Sequence, residues 1–182
     1  MKMPIFKVVV IVTAILCGFF YAEAKCIEGN CKNGKGVYNW DDGSVYSGLF
    51  ENGKMNGTGK YTDHKKDVYT GPFKNGKLHG KGKIEYFDGS FCEGMFIDGK
   101  LDGEGYYKFK DGSWYRGQWN KDRMHGKGIL ENNEGKYTGD FSYGKLTGYG
   151  GGLESKAALL AFEAEVTALG AHPFSELTVI SK

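Results

Sequence analysis

The sequence predicts an all-β protein: an elongated single-layer antiparallel sheet of tandem β-hairpin repeats, followed by a short C-terminal helix. Three observations predict it. A Tyr-x-Gly-x-aromatic pattern recurs about every 23 residues, and Asn-Gly or Asp-Gly pairs follow it at fixed offsets. The third is composition: 30 of 182 residues are Gly and only 3 are Pro, beside 12 Phe, 12 Tyr and 3 Trp. Glycine runs at more than twice its usual ~7%, yet collagen is excluded, because it needs Gly at every third position with abundant Pro and neither holds. So many rings exclude a flexible linker, because their apolar surface has to be buried. The formal charge of +2 is far short of the basic excess of a nucleic-acid binder, so no nucleic acid is expected as a partner.

The strand signal appears as Tyr46-Ser47-Gly48-Leu49-Phe50, Tyr69-Thr70-Gly71-Pro72-Phe73, Cys92-Glu93-Gly94-Met95-Phe96, Tyr115-Arg116-Gly117-Gln118-Trp119 and Tyr137-Thr138-Gly139-Asp140-Phe141. Its steps of 23, 23, 23 and 22 residues fix the repeat length. Alternation puts Tyr46, Gly48 and Phe50 on one strand face. Asn52-Gly53 then supplies a type I′ turn, which needs positive φ at both central residues. The returning strand carries Gly57-x-Gly59, expected on a common face where missing side chains leave room for rings. Asn75-Gly76, Asp98-Gly99 and Gly144 repeat the turn; Asp122 replaces its glycine once. Asp88-Gly89 and Asp111-Gly112 lead into the next hairpins. Gly34-x-Gly36 lies in phase with Gly57-x-Gly59, so a half repeat opens the array. About eleven strands, ~4.8 Å apart, make a ribbon on the order of 50 Å long with repeats about 10 Å apart.

These residues resemble the MORN (membrane occupation and recognition nexus) repeat over roughly residues 33 to 152. The departures are Cys92 for Tyr, Trp119 for Phe, Asp122 for Gly, and Asp63 to Asp67 where other copies carry Asp-Gly. The resemblance implies that hairpins add edge to edge into one sheet, and it implies protein association rather than catalysis. Plant phosphatidylinositol phosphate kinases carry such repeats ahead of a catalytic domain, but only 30 residues follow residue 152 here, so no kinase activity is expected.

Four segments are expected: a leader over 1–24, an N-terminal cap over 25–33, the repeat array over 34–152, and a helix and tail over 153–182. Met1 to Lys7 carries two lysines and no acid, Val8 to Tyr21 is almost wholly apolar, and Ala22-Glu23-Ala24 has the small-x-small form of a signal-peptidase site. Cleavage before Lys25 would export the chain, either secreted or to the periplasm. An uncleaved anchor is the weaker reading, because the run is shorter than the ~20 residues that span a bilayer. Cys26 and Cys31 are then a candidate local disulfide, and Cys92 reads as a buried thiol. In the tail, Ser155 is a candidate N-cap, Leu159, Phe162, Val166 and Leu169 form one stripe, and Gly170 is the stop, so 155–169 is expected as a helix covering the last hairpin or part of the ring face.

Chemical motifs are weak by comparison. Gly71 to Lys77 matches a phosphate loop without its final hydroxyl, but strand and turn replace the required loop and helix. His79 and His125 share a repeat position yet lie about 20 Å apart, too far for one metal. No cofactor, metal or catalytic set is expected. Two columns remain as candidate surfaces. Lys54, Lys77, Lys100, Arg123 and Lys145 follow the five turns and form a basic ladder that anionic lipid headgroups could track. The aromatic face consists of Tyr46, Phe50, Tyr69, Phe73, Phe96, Tyr115, Trp119, Tyr137 and Phe141, expected first as core, or else as a groove for a peptide or glycan. The reading is a non-catalytic exported scaffold that binds a protein partner or a second copy, with anionic phospholipid as the alternative ligand.

Overall fold

The structure, a computed structural model, describes residues 24–133 and 135–147. The leader up to Glu23 and the expected C-terminal helix lie outside the described residues. Thirteen strands form one antiparallel sheet: β1 (Lys25–Gly29), β2 (Gly34–Asn39), β3 (Val45–Glu51), β4 (Lys54–Thr62), β5 (Val68–Lys74), β6 (Lys77–Leu78), β7 (Gly80–Glu85), β8 (Phe91–Ile97), β9 (Lys100–Lys108), β10 (Trp114–Asn120), β11 (Arg123–Asn132), β12 (Gly135–Ser142) and β13 (Lys145–Leu146). Strands pair in chain order, except that β5 pairs with both β6 and β7. The surplus over the expected eleven comes from β1, formed by residues expected as a cap, and from the break between β6 and β7. Cys26 in β1 is disulfide-bonded to Cys31.

Register explains the spacing of the repeat. Gly48 pairs with both Gly36 and Gly59, and Gly117 with both Gly105 and Gly128, so glycines form a row straight across the sheet. Two residues away in each strand runs a ring row, in which Tyr46 pairs with Tyr38 and Tyr61, and Tyr115 with Tyr107 and Leu130. Each tyrosine leans over the glycines. A Cβ at Gly59 would stand 2.4 Å from the Tyr46 ring, and one at Gly82 would stand 2.4 Å from the Tyr69 hydroxyl. The hydroxyls of Tyr46, Tyr69 and Tyr115 then donate 2.9 Å bonds to the carbonyls of Leu49, Pro72 and Gln118.

The first glycine of each return strand departs from expectation. Gly57 has a φ of +66° and lies at the register shift between Gly48 and Phe50; its near neighbour is Leu49 on the other face, not a ring. It closes a bulge that a residue with a Cβ enters at a cost, while Gly59 alone makes room for Tyr46. The turns do match expectation: Asn52 and Gly53 have φ of +51° and +75°.

Successive hairpins are also joined tip to tip. Gly53 N–H donates to the Lys32 carbonyl (2.9 Å), Gly76 to Met55 (2.8 Å), Gly99 to Leu78 (2.9 Å), Asp122 to Leu101 (2.9 Å) and Gly144 to Met124 (2.8 Å). In such an array stability is a sum over repeats and their nearest-neighbour contacts, and these bonds add to the strand ladders, such as β4 with β5, that couple one hairpin to the next.

Candidate functional site

The two candidate surfaces lie on opposite faces. In β3 the buried residues are Tyr46, Gly48 and Phe50, and in β4 Met55 is buried directly after Lys54. Leu78, Leu101 and Met124 are likewise buried directly after Lys77, Lys100 and Arg123. Because side chains alternate, every ladder cation faces away from the ring core.

The ring face is core. Its nine residues retain between 0 and 7% exposure. Tyr46 and Tyr69 each meet the phenylalanine of their own repeat and that of the next edge to face: Tyr46 lies 5.0 Å from both Phe50 and Phe73, and Tyr69 lies 5.0 Å from Phe73 and 5.4 Å from Phe96. Such geometry sets each ring's positive edge against its neighbour's negative face. Burial pushes the Tyr46 and Tyr107 hydroxyls up to about 12, despite hydrogen bonds that pull the other way. These rings are closed to a groove ligand among the described residues. Cys92 lies among them with no exposure, and burial pushes its thiol up to about 12, so it is a packing residue and not a nucleophile.

The ladder side is open. Lys77, Arg123 and Lys145 are exposed, and Lys54 and Lys100 are half-buried. Ion pairs on this face engage other cations: Lys81 with Glu93 (3.6 Å), Lys83 with Glu85 (2.6 Å) and Lys127 with Asp140 (3.8 Å). Burial holds the Asp122 carboxyl above the usual range, and the Leu101 N–H and the nearby Lys100 cation pull it back. Exposed Leu49, Met95 and Ile97 share this face with the ladder. Sequence reasoning did not find the apolar members, nor a strip of rings behind them. There Phe91 and Tyr106 lie 5.6 Å apart, Tyr106 and Trp114 5.9 Å, and Lys83 sits 4.9 Å over Phe91. Phe91 and Trp114 stand where Val45 and Val68 stand in other repeats, and that contrast was the available signal.

The opposite long edge carries Asp42, Asp88 and Asp111, but these carboxylates are structural. Each accepts from the backbone N–H two residues on, that of Ser44, Ser90 or Ser113, at 2.8 to 2.9 Å. The Ser90 hydroxyl and N–H hold Asp88 below its ordinary value. His79 and His125 each keep a buried Nδ1 without a partner, and no metal-binding cluster of His, Cys, Asp or Glu occurs among the described residues. Gly71 to Lys77 is β5, a turn and the start of β6, as the strand reading requires.

Comparison with protein families matches the MORN repeat to residues 32–45, 46–68, 69–91, 92–114, 115–135 and 137–150. The chain belongs to the MORN-repeat family. MORN repeats are commonly protein- or membrane-binding scaffold modules and are generally non-catalytic. No curated protein matches the chain. Among solved structures, the TCP domain of SAS-4 (dCPAP) of Drosophila melanogaster, in complex with a proline-rich motif of Ana2 (dSTIL), is similar at 11% identity and a TM-score of 0.27, covering 64% of this MORN chain and 77% of that one.

Proposed function

We propose that this MORN protein is an exported, non-catalytic scaffold that binds a protein partner along the ladder side of its sheet. One observation carries the reading: hairpins bonded tip to tip hold Lys54, Lys77, Lys100, Arg123 and Lys145 at one repeat position on the face that also exposes Leu49, Met95 and Ile97. A surface mixing apolar side chains with cations suits an acidic partner with apolar anchors, because contact area supplies affinity while charge supplies register. The partner is either another protein or a second copy of the chain. Export is part of the proposal and rests on the leader pattern of residues 1–24.

The test is affinity capture from an envelope extract with residues 25–182, beside sedimentation of the same protein for dimer formation. A partner or dimer retained by the native chain and lost on Lys77→Glu with Lys100→Glu supports the reading. A monomer that captures nothing overturns it. N-terminal sequencing of the exported protein should begin at Lys25.

The ladder's regularity supports a second reading, in which the cations track anionic phospholipid at about 10 Å intervals. Acidic liposomes should then sediment the protein at low salt and release it at high salt. Binding unchanged by salt, or by the same double charge reversal, rejects that mechanism.

A further inference from the structure

We propose that the Cys26–Cys31 disulfide is a redox latch on the first edge of the sheet. Closed, it keeps β1 over the edge of β2 and steadies the first hairpin turn. Opened by a dithiol reductant, it lets β1 leave and exposes that edge. The row of glycines across the sheet starts in β1, where Gly29 pairs with Gly36, which in turn pairs with Gly48. Further along the row tyrosines lie over the glycines, Tyr46 over Gly48 and Gly59, and Tyr69 over Gly71 and Gly82. At Gly36 the covering atom is instead the Cys31 sulfur, 2.9 Å from where a Cβ would stand. Cys31 is half-buried and packs against the ring core, so the disulfide closes the end of the array in a tyrosine's place.

The same turn holds the first hairpin tip. Later tips donate to the return strand of the hairpin before them, as Gly76 does to Met55, whereas Gly53 donates to the Lys32 carbonyl at 2.9 Å and the Asn52 N–H to Asn33 Oδ1 at 2.8 Å. Lys32 directly follows Cys31, so the latch and these two acceptors move together. Little else fixes β1. All five of its residues are exposed, so no buried side chain anchors it, and a register shift between Cys26 and Glu28 interrupts its pairing with β2. Cys26 is exposed and within reach of a reductant. One thiolate of the dithiol attacks Cys26 Sγ, the S–S bond breaks, and its electron pair leaves on Cys31, which takes up a proton. The second thiol then displaces Cys26 as a thiol, and the reductant departs as a disulfide. Without β1, the edge of β2 presents a row of unpaired N–H and C=O groups, a template for another strand. The latch acts at this edge and not on the ladder face, so the scaffold reading stands or falls separately.

Residue-resolved hydrogen exchange on the full-length protein, with and without dithiothreitol, tests the latch. Opening the disulfide should speed exchange in β1, at the β2 amides beneath it and at Asn52 and Gly53 by about thirtyfold, the factor lost with a cross-link across so short a loop, while β5 to β12 keep their rates. Iodoacetamide should then label Cys26 and Cys31 but not the buried Cys92. Cys26→Ser should exchange at the fast rates without reductant and change no further with it. Should that variant fail to fold, the native chain with dithiothreitol decides. Unchanged rates in the reduced protein, a rise confined to β1 that leaves Gly53 as slow as before, or a rise spread evenly as far as β12 overturns the proposal.

Discussion

Trp119 occupies the place over Gly105 that Cys92 leaves empty. In three other repeats a Cβ added to the corresponding glycine would strike a tyrosine: Tyr46 at Gly59, Tyr69 at Gly82 and Tyr115 at Gly128. At Gly105 it would meet the Trp119 indole, 2.8 Å from Cδ1. Elsewhere the phenylalanine of the next repeat packs against that tyrosine, as Phe141 does at 4.9 Å from Tyr115. Here the larger indole reaches across, and the Leu101 side chain approaches the paired Gly94. Two departures from the repeat thus offset one another.

A double-mutant cycle measures that compensation. Cys92→Tyr alone forces a ring into occupied space and should cost about 1–3 kcal/mol. Trp119→Phe alone leaves a void in the core. Together they rebuild the common pair, so the double variant should be more stable than the sum of the two, with a coupling of about 0.5–3 kcal/mol in urea unfolding. Additive losses would show that the indole and the missing ring are unrelated.

Two glycine substitutions separate packing from backbone conformation. Gly82→Ala puts a methyl 2.4 Å from the Tyr69 hydroxyl and 2.6 Å from its ring, so the fully buried ring has to shift and strain its bond to the Pro72 carbonyl. Gly53→Ala meets nothing within 4 Å, but its φ of +75° suits residues without a Cβ. The second should cost roughly 1–2 kcal/mol, the price of one L-residue in the left-handed region. Gly82→Ala should cost more, and chemical denaturation compares them directly; equal losses would mean that the rings do not depend on the glycine row.

The glycine row, ring columns, turns and ladder were legible because each is a local pattern repeated five times, and a period of two or of 23 survives without coordinates. What was not legible depends on pairing between hairpins. Gly57 and Gly59 look alike in sequence, but the bulge puts one at a positive φ and the other under Tyr46. The Gly76 to Met55 bond joins residues in neighbouring hairpins whose types carry no hint of it. Trp119 and Cys92 are 27 residues apart, so each stood out singly while their relation needed the register. On the ladder side the cations were found by position, whereas exposed Leu49 and Met95 looked like ordinary strand hydrophobics.

Alkali should unfold the protein in a defined window. Burial pushes the Tyr46 and Tyr107 hydroxyls up to about 12 and raises those of Tyr69 and Tyr115 as well, from an ordinary value near 10. A group that ionises later when folded stabilises the fold fully below its unfolded pKa, and that contribution is lost as pH rises through the folded value. Stability should therefore fall steeply between about pH 10 and 12. Phenolate absorbance should rise together with loss of the circular dichroism signal. Tyrosines that titrate freely near pH 10 in a chain still folded would contradict their burial. The Cys92 thiol should stay unreactive to disulfide reagents until the same transition.

Asp122 shows how one repeat manages without its turn glycine. Its φ is +67°, and it holds Leu101 twice, donating N–H to the carbonyl at 2.9 Å and accepting the Leu101 N–H on Oδ1 at 2.7 Å. Burial raises its carboxyl above the ordinary range, against the pull of the Leu101 N–H and Lys100. A raised folded value means that the folded state takes up the proton first, so the ionised form costs stability at neutral pH and that cost fades as pH falls. Asp122→Asn keeps an oxygen for Leu101, sheds the charge and tolerates positive φ. It should melt at or slightly above the native temperature at pH 7, with the difference shrinking toward acid. Asp122→Ala strands the Leu101 N–H and should lose about 1–3 kcal/mol. Thermal melts of both variants from pH 3 to pH 7 check the sign: an asparagine variant that loses as much as alanine would show that the carboxylate's charge, and not its hydrogen bond, holds this turn.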